Sequence, residues 1–191
     1  MTTTRLEAFS DAVIAIVITI MVLELTIPRG EDLAALWEVA PVLLVYLLSF
    51  IYLAIYWNNH HHLMALTERI NGKILWANMH LLFWLSLVPF TTGWMGESEF
   101  APTPTAIYGV DLLLAAIAYF ILQTTIIAKQ GAGSKLAQAL GRDLKGKVSP
   151  VLYITAIPLS FVSSWIAVGI YVLVALIWLI PDRRIESVVT D

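Results

Sequence analysis

The stretch Phe9–Ile27 limits what this chain can become more than any other part of it. It is an almost unbroken run of Ala, Val, Ile, Leu and Met, with Arg5 just before it and Ser10, Asp11, Thr19 and Glu24 among its few polar residues. A helix of that length rises about 28 Å, close to the roughly 30 Å of bilayer hydrocarbon. The segment therefore reads as a membrane-spanning helix. Its two carboxylates argue for more than an anchor, because an ionisable group at membrane depth faces protein or water and marks a functional site by default.

Composition supports the same class for the whole chain. Of the 191 residues, 59% are hydrophobic and 13% charged, against about 45–50% and about 25% in ordinary globular chains. The small net charge of −3, without a basic run, argues against a nucleic-acid partner. The absence of cysteine excludes disulfides, thiolate metal sites and cysteine nucleophiles. There is no GxSxG, HExxH, Walker or glycine-rich phosphate motif, so nothing points to an enzyme or to a cofactor. The start of the chain lacks a basic region followed by a short apolar core and a small-residue cleavage site. The first segment is thus expected to be retained rather than removed as a signal peptide.

Six apolar segments can be marked, at roughly 8–27, 37–57, 74–95, 104–128, 148–164 and 166–181. The expected fold is an all-α, multi-pass integral membrane protein, one six-helix domain over residues 1–191. The last two segments are the shortest, and a bent re-entrant unit over 150–180 is the alternative there. Positive charge orients the bundle. With the N-terminus cytoplasmic, that side holds Arg5, Arg69, Lys73, Lys129, Lys135, Arg142, Lys145, Lys147, Arg183 and Arg184, and the other side only Arg29. Both termini are therefore expected inside, which requires an even number of spans. Trp37, Trp57, Trp76, Trp94, Trp165 and Trp178 fall where interfacial belts belong, and the linker 129–147 reads as a short amphipathic helix or loop on the membrane surface.

At about 100° per residue, Ile16, Ile20 and Leu23 share one narrow stripe of the first helix, with Thr19 at its edge. Such a stripe either packs on neighbours and lipid or lines a pore that closes by excluding water; spacing alone leaves both open. Asp11 points nearly the opposite way. The start of this helix shares the cytoplasmic side with the end of the second and the start of the third. Arg5, Ser10 and Asp11 thus come within reach of Trp57, Asn58, Asn59, His60, His61, His62 and Asn78, as a polar clamp or as an ion contact. The histidine triplet lacks partners at ligand spacing and reads as the beginning of an interfacial loop rather than a metal site. His80 is expected to bond a neighbouring helix, and Asp111 to reach water near the outer interface. Glu24, Glu97 and Glu99 gather negative charge on the outer side.

The opening Arg5-Leu-Glu-Ala-Phe9-Ser10-Asp11 resembles the RxxxFSD signature of the TMEM175 potassium channels. Trp57 with His60 and His61, Leu75-Trp76-Ala77-Asn78, and Leu87-Val88-Pro89-Phe90-Thr91 are similar to further family positions, so the resemblance spans essentially the whole chain. It implies a homotetramer in the cell membrane with four copies of helix 1 around a central pore. It implies no TVGYG filter, and the sequence has none. The constriction maps to Ile16, Ile20 and Leu23, Thr19 being a hydroxyl beside it. The family's cluster behind the pore helix maps to Arg5, Phe9, Ser10, Asp11, Trp57, His60 and Asn78. Ala15 stands where one animal repeat has a serine, which implies weak preference for potassium over sodium, with potassium only transiently in the pore. The alternatives are a proton-permeable channel, a proton-coupled carrier using Asp11 and His80, and a scaffold without transport. Carriers often break their helices with Gly or Pro, which the interior of helix 1 lacks.

Overall fold

A computed structural model describes residues 2–131, 133–140 and 144–179, and every regular element among them is helical. Helix α1 (Thr3–Met21) continues into a single 3-10 turn at Val22–Glu24. It is followed by α2 (Leu33–Glu38), α3 (Ala40–Ala65), α4 (Gly72–Glu97), α5 (Pro102–Gln130), α6 (Lys135–Leu140), α7 (Leu144–Leu159) and α8 (Ser164–Leu179). Arg142, Arg183, Arg184, the last positions of the segment expected at 166–181, and the chain end lie outside the described residues.

Helix boundaries depart from the apolar runs for local reasons. The first helix starts earlier than residue 8 and stops before residue 27, because Leu25 is already extended and Pro28 keeps Ile27 out of helical conformation. The segment expected at 37–57 becomes two helices, broken at Val39. Pro41 falls in the first turn of α3, where its missing N–H costs nothing. Helix α3 then runs on to Ala65, so His60, His61 and His62 lie inside its last turns and not in a loop. Their side chains suit a helix well enough, and no Gly or Pro stops it there. Asp32 and Asn71 cap α2 and α4 by accepting from the N–H groups of Ala35 and Ile74, each at 3.0 Å.

Among the described residues, α1 with its 3-10 turn, α3, α4 and α5 are long and apolar enough to cross a membrane. Helices α7 and α8 have 16 residues each, a rise of only about 24 Å. They form a hairpin closed by bonds such as Ser163 N–H to Leu159 O, 2.8 Å. Helix α6 is shorter than the surface helix expected over 129–147, and it docks on the bundle by burying Leu136 beside Leu63, Ile74 and Ile126.

Helices α4 and α5 form the centre, with α1 packed on α4 and α3, and the α7–α8 hairpin on α5 and α3. One core joins α1, α3, α4 and α5 through Ile14, Val17, Met21, Leu53, Leu81 and Leu122. The other joins α3, α5, α7 and α8 around Tyr52, Tyr108, Tyr153 and Tyr171. Each of these tyrosine hydroxyls finds a partner. Tyr52 donates to Tyr171 O at 2.6 Å, Tyr153 to Tyr52 at 3.2 Å, and Tyr171 to Thr105 O at 3.1 Å, while Tyr108 pairs with Ser49 at 2.9 Å. An unpaired hydroxyl at this depth has no water to turn to. At Gly109 the Tyr171 hydroxyl approaches so closely that it leaves no room for a Cβ.

Candidate functional site

Helix α1 sits at the edge of the bundle with two unlike faces. Leu6, Ser10, Ile14, Val17 and Met21 are buried at helical spacing against α3 and α4. The stripe points the other way: Ile16 is 56% exposed, Ile20 41% and Leu23 79%. Thr19 is exposed beside them, its hydroxyl donating to Ile16 O at 2.8 Å. These aliphatic residues are therefore left partly to largely uncovered by their own subunit. Ile16 and Ile20 line an open groove of about 730 Å³ between α1 and α4, whose other wall is Ser86, Pro89, Phe90, Gly93 and Trp94. Glu24 and Glu97 stand at one end of that groove. The Glu24 carboxylate rests against Gly93, where a Cβ would come within 3.0 Å of its Oε2.

The polar residues near the start of α1 divide into a buried chain and surface pairs. In the buried chain, His60 Nε2 lies 2.8 Å from Asn78 Oδ1, Asn78 Nδ2 donates to Ser10 Oγ at 2.9 Å, and Ser10 donates to Leu6 O at 2.9 Å. An amide oxygen only accepts, so His60 must carry its hydrogen on Nε2. All three side chains are fully buried, and they tie α1, α3 and α4 together. Asp11 is outside this chain. It faces α3 at the surface and accepts from Trp57 Nε1 at 3.1 Å. His61 pairs with Glu7, Nδ1 to Oε1 at 2.9 Å, a partner that sequence reasoning did not single out. Arg5 is exposed with no polar partner among the described residues, and Phe9 is 45% exposed.

Two other expectations are corrected. His80 bonds its own helix, accepting from Trp84 Nε1 at 2.9 Å; the i,i+4 spacing places the pair on one exposed face. Asp111 does not reach water. It is 4% exposed and meets the Thr91 hydroxyl at 3.0 Å. The signal for its burial was the hydroxyl-rich stretch Thr91-Thr92 on α4, of which Thr91 serves Asp111 and Thr92 donates to Ser49 at 2.7 Å. No group of three or more His, Asp or Glu side chains suited to a metal ion occurs among the described residues.

The arrangement offers an uncovered aliphatic face with carboxylates at one end and a hydrogen-bonded clamp behind it. Residues 5–89 match the family model described as endosomal/lysosomal potassium channel TMEM175. A potassium channel of Chryseobacterium sp. (strain P1-3) is 55% identical over 187 residues, which is 98% of this chain and 97% of that one. The chain belongs to the TMEM175 family. The crystal structure of a homolog of the lysosomal potassium-selective channel TMEM175 from Chamaesiphon minutus superposes with a TM-score of 0.83 at 29% identity, covering 94% of this chain and 97% of that one. The endosomal/lysosomal proton channel TMEM175 of Danio rerio is 28% identical over 132 residues, 66% of this chain and 24% of the fish protein. All of these family members are named as channels, none as an enzyme.

Proposed function

We propose that the protein is a potassium-permeable, weakly selective cation channel of the cell membrane. Four copies surround a central path, and each contributes the exposed face of α1. Ile16, Ile20 and Leu23 form the constriction, with Thr19 beside it, and the path closes when these side chains exclude water. Potassium passes through without a resident metal or cofactor. The Ser10–Asn78–His60 chain fixes the tilt of α1 against α3 and α4, while Asp11 with Trp57 steadies its start. All six apolar helices, α1, α3, α4, α5, α7 and α8, belong to the membrane domain, with both termini cytoplasmic. The positive charges of Arg5, Arg69, Lys73, Lys129, Lys135, Lys145 and Lys147 support that orientation.

One observation carries this reading: a membrane helix leaves an aliphatic stripe uncovered by its own subunit, in a chain whose relatives are named potassium channels. Currents from the purified protein in planar bilayers test it. A reversal potential shifted from zero toward that of potassium, without reaching it, is expected under a potassium–sodium gradient, together with a tetramer mass in detergent. Saturable, coupled uptake or no flux contradicts it. The name of the animal relatives favours a second reading, proton permeation by the same path. A reversal potential that follows the proton gradient supports that alternative.

A further inference from the structure

Asp111 has no part in the pore reading. It lies on α5, and its Oδ1 is buried without a partner while its Oδ2 meets Thr91 of α4. Among the described residues no cation pairs with it. The titratable groups around it are tyrosines: Tyr108 of its own helix and Tyr56 of α3, with Tyr153 of α7 and Tyr171 of α8 in the same core. Helix α4 brings only the hydroxyls of Thr91 and Thr92.

Counting hydrogens distinguishes the two forms of the carboxyl group. Thr91 has one hydroxyl hydrogen, yet its Oγ lies 3.0 Å from Asp111 Oδ2, 3.2 Å from Val88 O and 3.4 Å from Leu87 O. As a carboxylate, Asp111 would hold a full charge on a single hydroxyl donor with its other oxygen bare, an arrangement membrane interiors penalise heavily. As a neutral acid it puts a hydrogen in each of the two shorter distances. Oδ2–H donates to Thr91 Oγ, Thr91 donates on to Val88 O, and Oδ1 remains as a carbonyl oxygen, the buried group most often left unpaired.

We propose that Asp111 is a proton-binding site inside the subunit, its bound proton forming the hydrogen bond that clasps α5 to the Thr91 turn of α4. Release of that proton leaves a charge behind the same turn of α4 whose Pro89, Phe90 and Gly93 wall the α1 groove, and it loosens the α4–α5 contact. The site stands independently of what α1 lines.

Infrared difference spectra of the full chain in phosphatidylcholine vesicles, taken across a step from acidic to alkaline pH, test this. The expected result is a carboxylic-acid carbonyl band that is lost on alkalinisation and is missing from Asp111→Asn. Thermal unfolding of the wild type should shift downward at alkaline pH more than that of Asp111→Asn. A carbonyl band unchanged in the variant, or identical pH profiles for the two proteins, overturns the site. Thr91→Val supplies a second arm should the first variant fail to assemble: the band is then expected to persist and move as its acceptor disappears, and an unmoved band overturns the clasp.

Discussion

Helices α1 and α4 are both long enough to cross a bilayer, and α1 is the more apolar, yet α4 is the one that disappears into the bundle. Half of the α4 span is buried, against 28% of the α1 span. In water the greasier helix would be the hidden one. In lipid no hydrophobic force separates a protein neighbour from an acyl chain, so small residues and polar contacts decide what goes inside. Helix α4 buries Asn78, Thr91, Thr92, Gly93 and Gly96, whereas Ser10 is the one buried polar residue of α1. An aliphatic face left at the edge by this logic is free to meet other copies or a permeating ion.

The strongest way to break the contrast is to place the same amide on each face of α1. Ile14→Asn buries an unpaired amide against α3 and α4 and is expected to cost about 2–7 kcal/mol. Ile16→Asn should change subunit stability by about 0.5 kcal/mol or less while raising leak current by wetting the constriction. Thermal unfolding in detergent and flux from vesicles report the two quantities, and equal destabilisation by both would erase the distinction. Asn78→Ala acts where the two helices meet. It strands the His60 Nε2–H, at about 1–3 kcal/mol for a group left unpaired, while Ser10 keeps its bond to Leu6 O; chemical denaturation in mixed micelles measures the loss.

Farther from α1, Gly109→Ala drives a methyl group into the Tyr171 hydroxyl and breaks its bond to Thr105 O. The expected cost is about 1–3 kcal/mol, seen as a lower melting temperature with α1 untouched. Trp57→Phe is expected to be milder than the changes at Asn78 and Gly109. It removes one exposed hydrogen bond to Asp11, worth about 0.5–1.5 kcal/mol, and a shift in channel open probability larger than the shift in stability would show that this pair sets the angle of α1.

The all-helical, membrane-spanning character can be read from the chain, because apolar length survives without knowledge of packing. Partner choice does not. Ser10 and Asp11 are adjacent and differ by about 100° around the helix, so only one of them can join Asn78 and His60, and the packing of α1 on α4 selects Ser10. Asp111 misleads for a related reason. A carboxylate in an apolar run suggests nearby water, whereas the Thr91 hydroxyl of the preceding helix serves it here. The histidine triplet suggested a loop because polarity marks the end of an apolar run, but α3 continues through the triplet to Ala65. Arg5, first in the motif, finds no polar partner among the described residues of one subunit.

The chain has no cysteine, so single cysteines introduced into α1 report directly on which face meets the ion path. A water-soluble thiol reagent applied to reconstituted channels should block current in Ile16→Cys, Ile20→Cys and Leu23→Cys, and leave Ile14→Cys, Val17→Cys and Met21→Cys unaffected. Block at the second set, or no reaction at the first while currents persist, would contradict an ion path walled by the exposed face of α1.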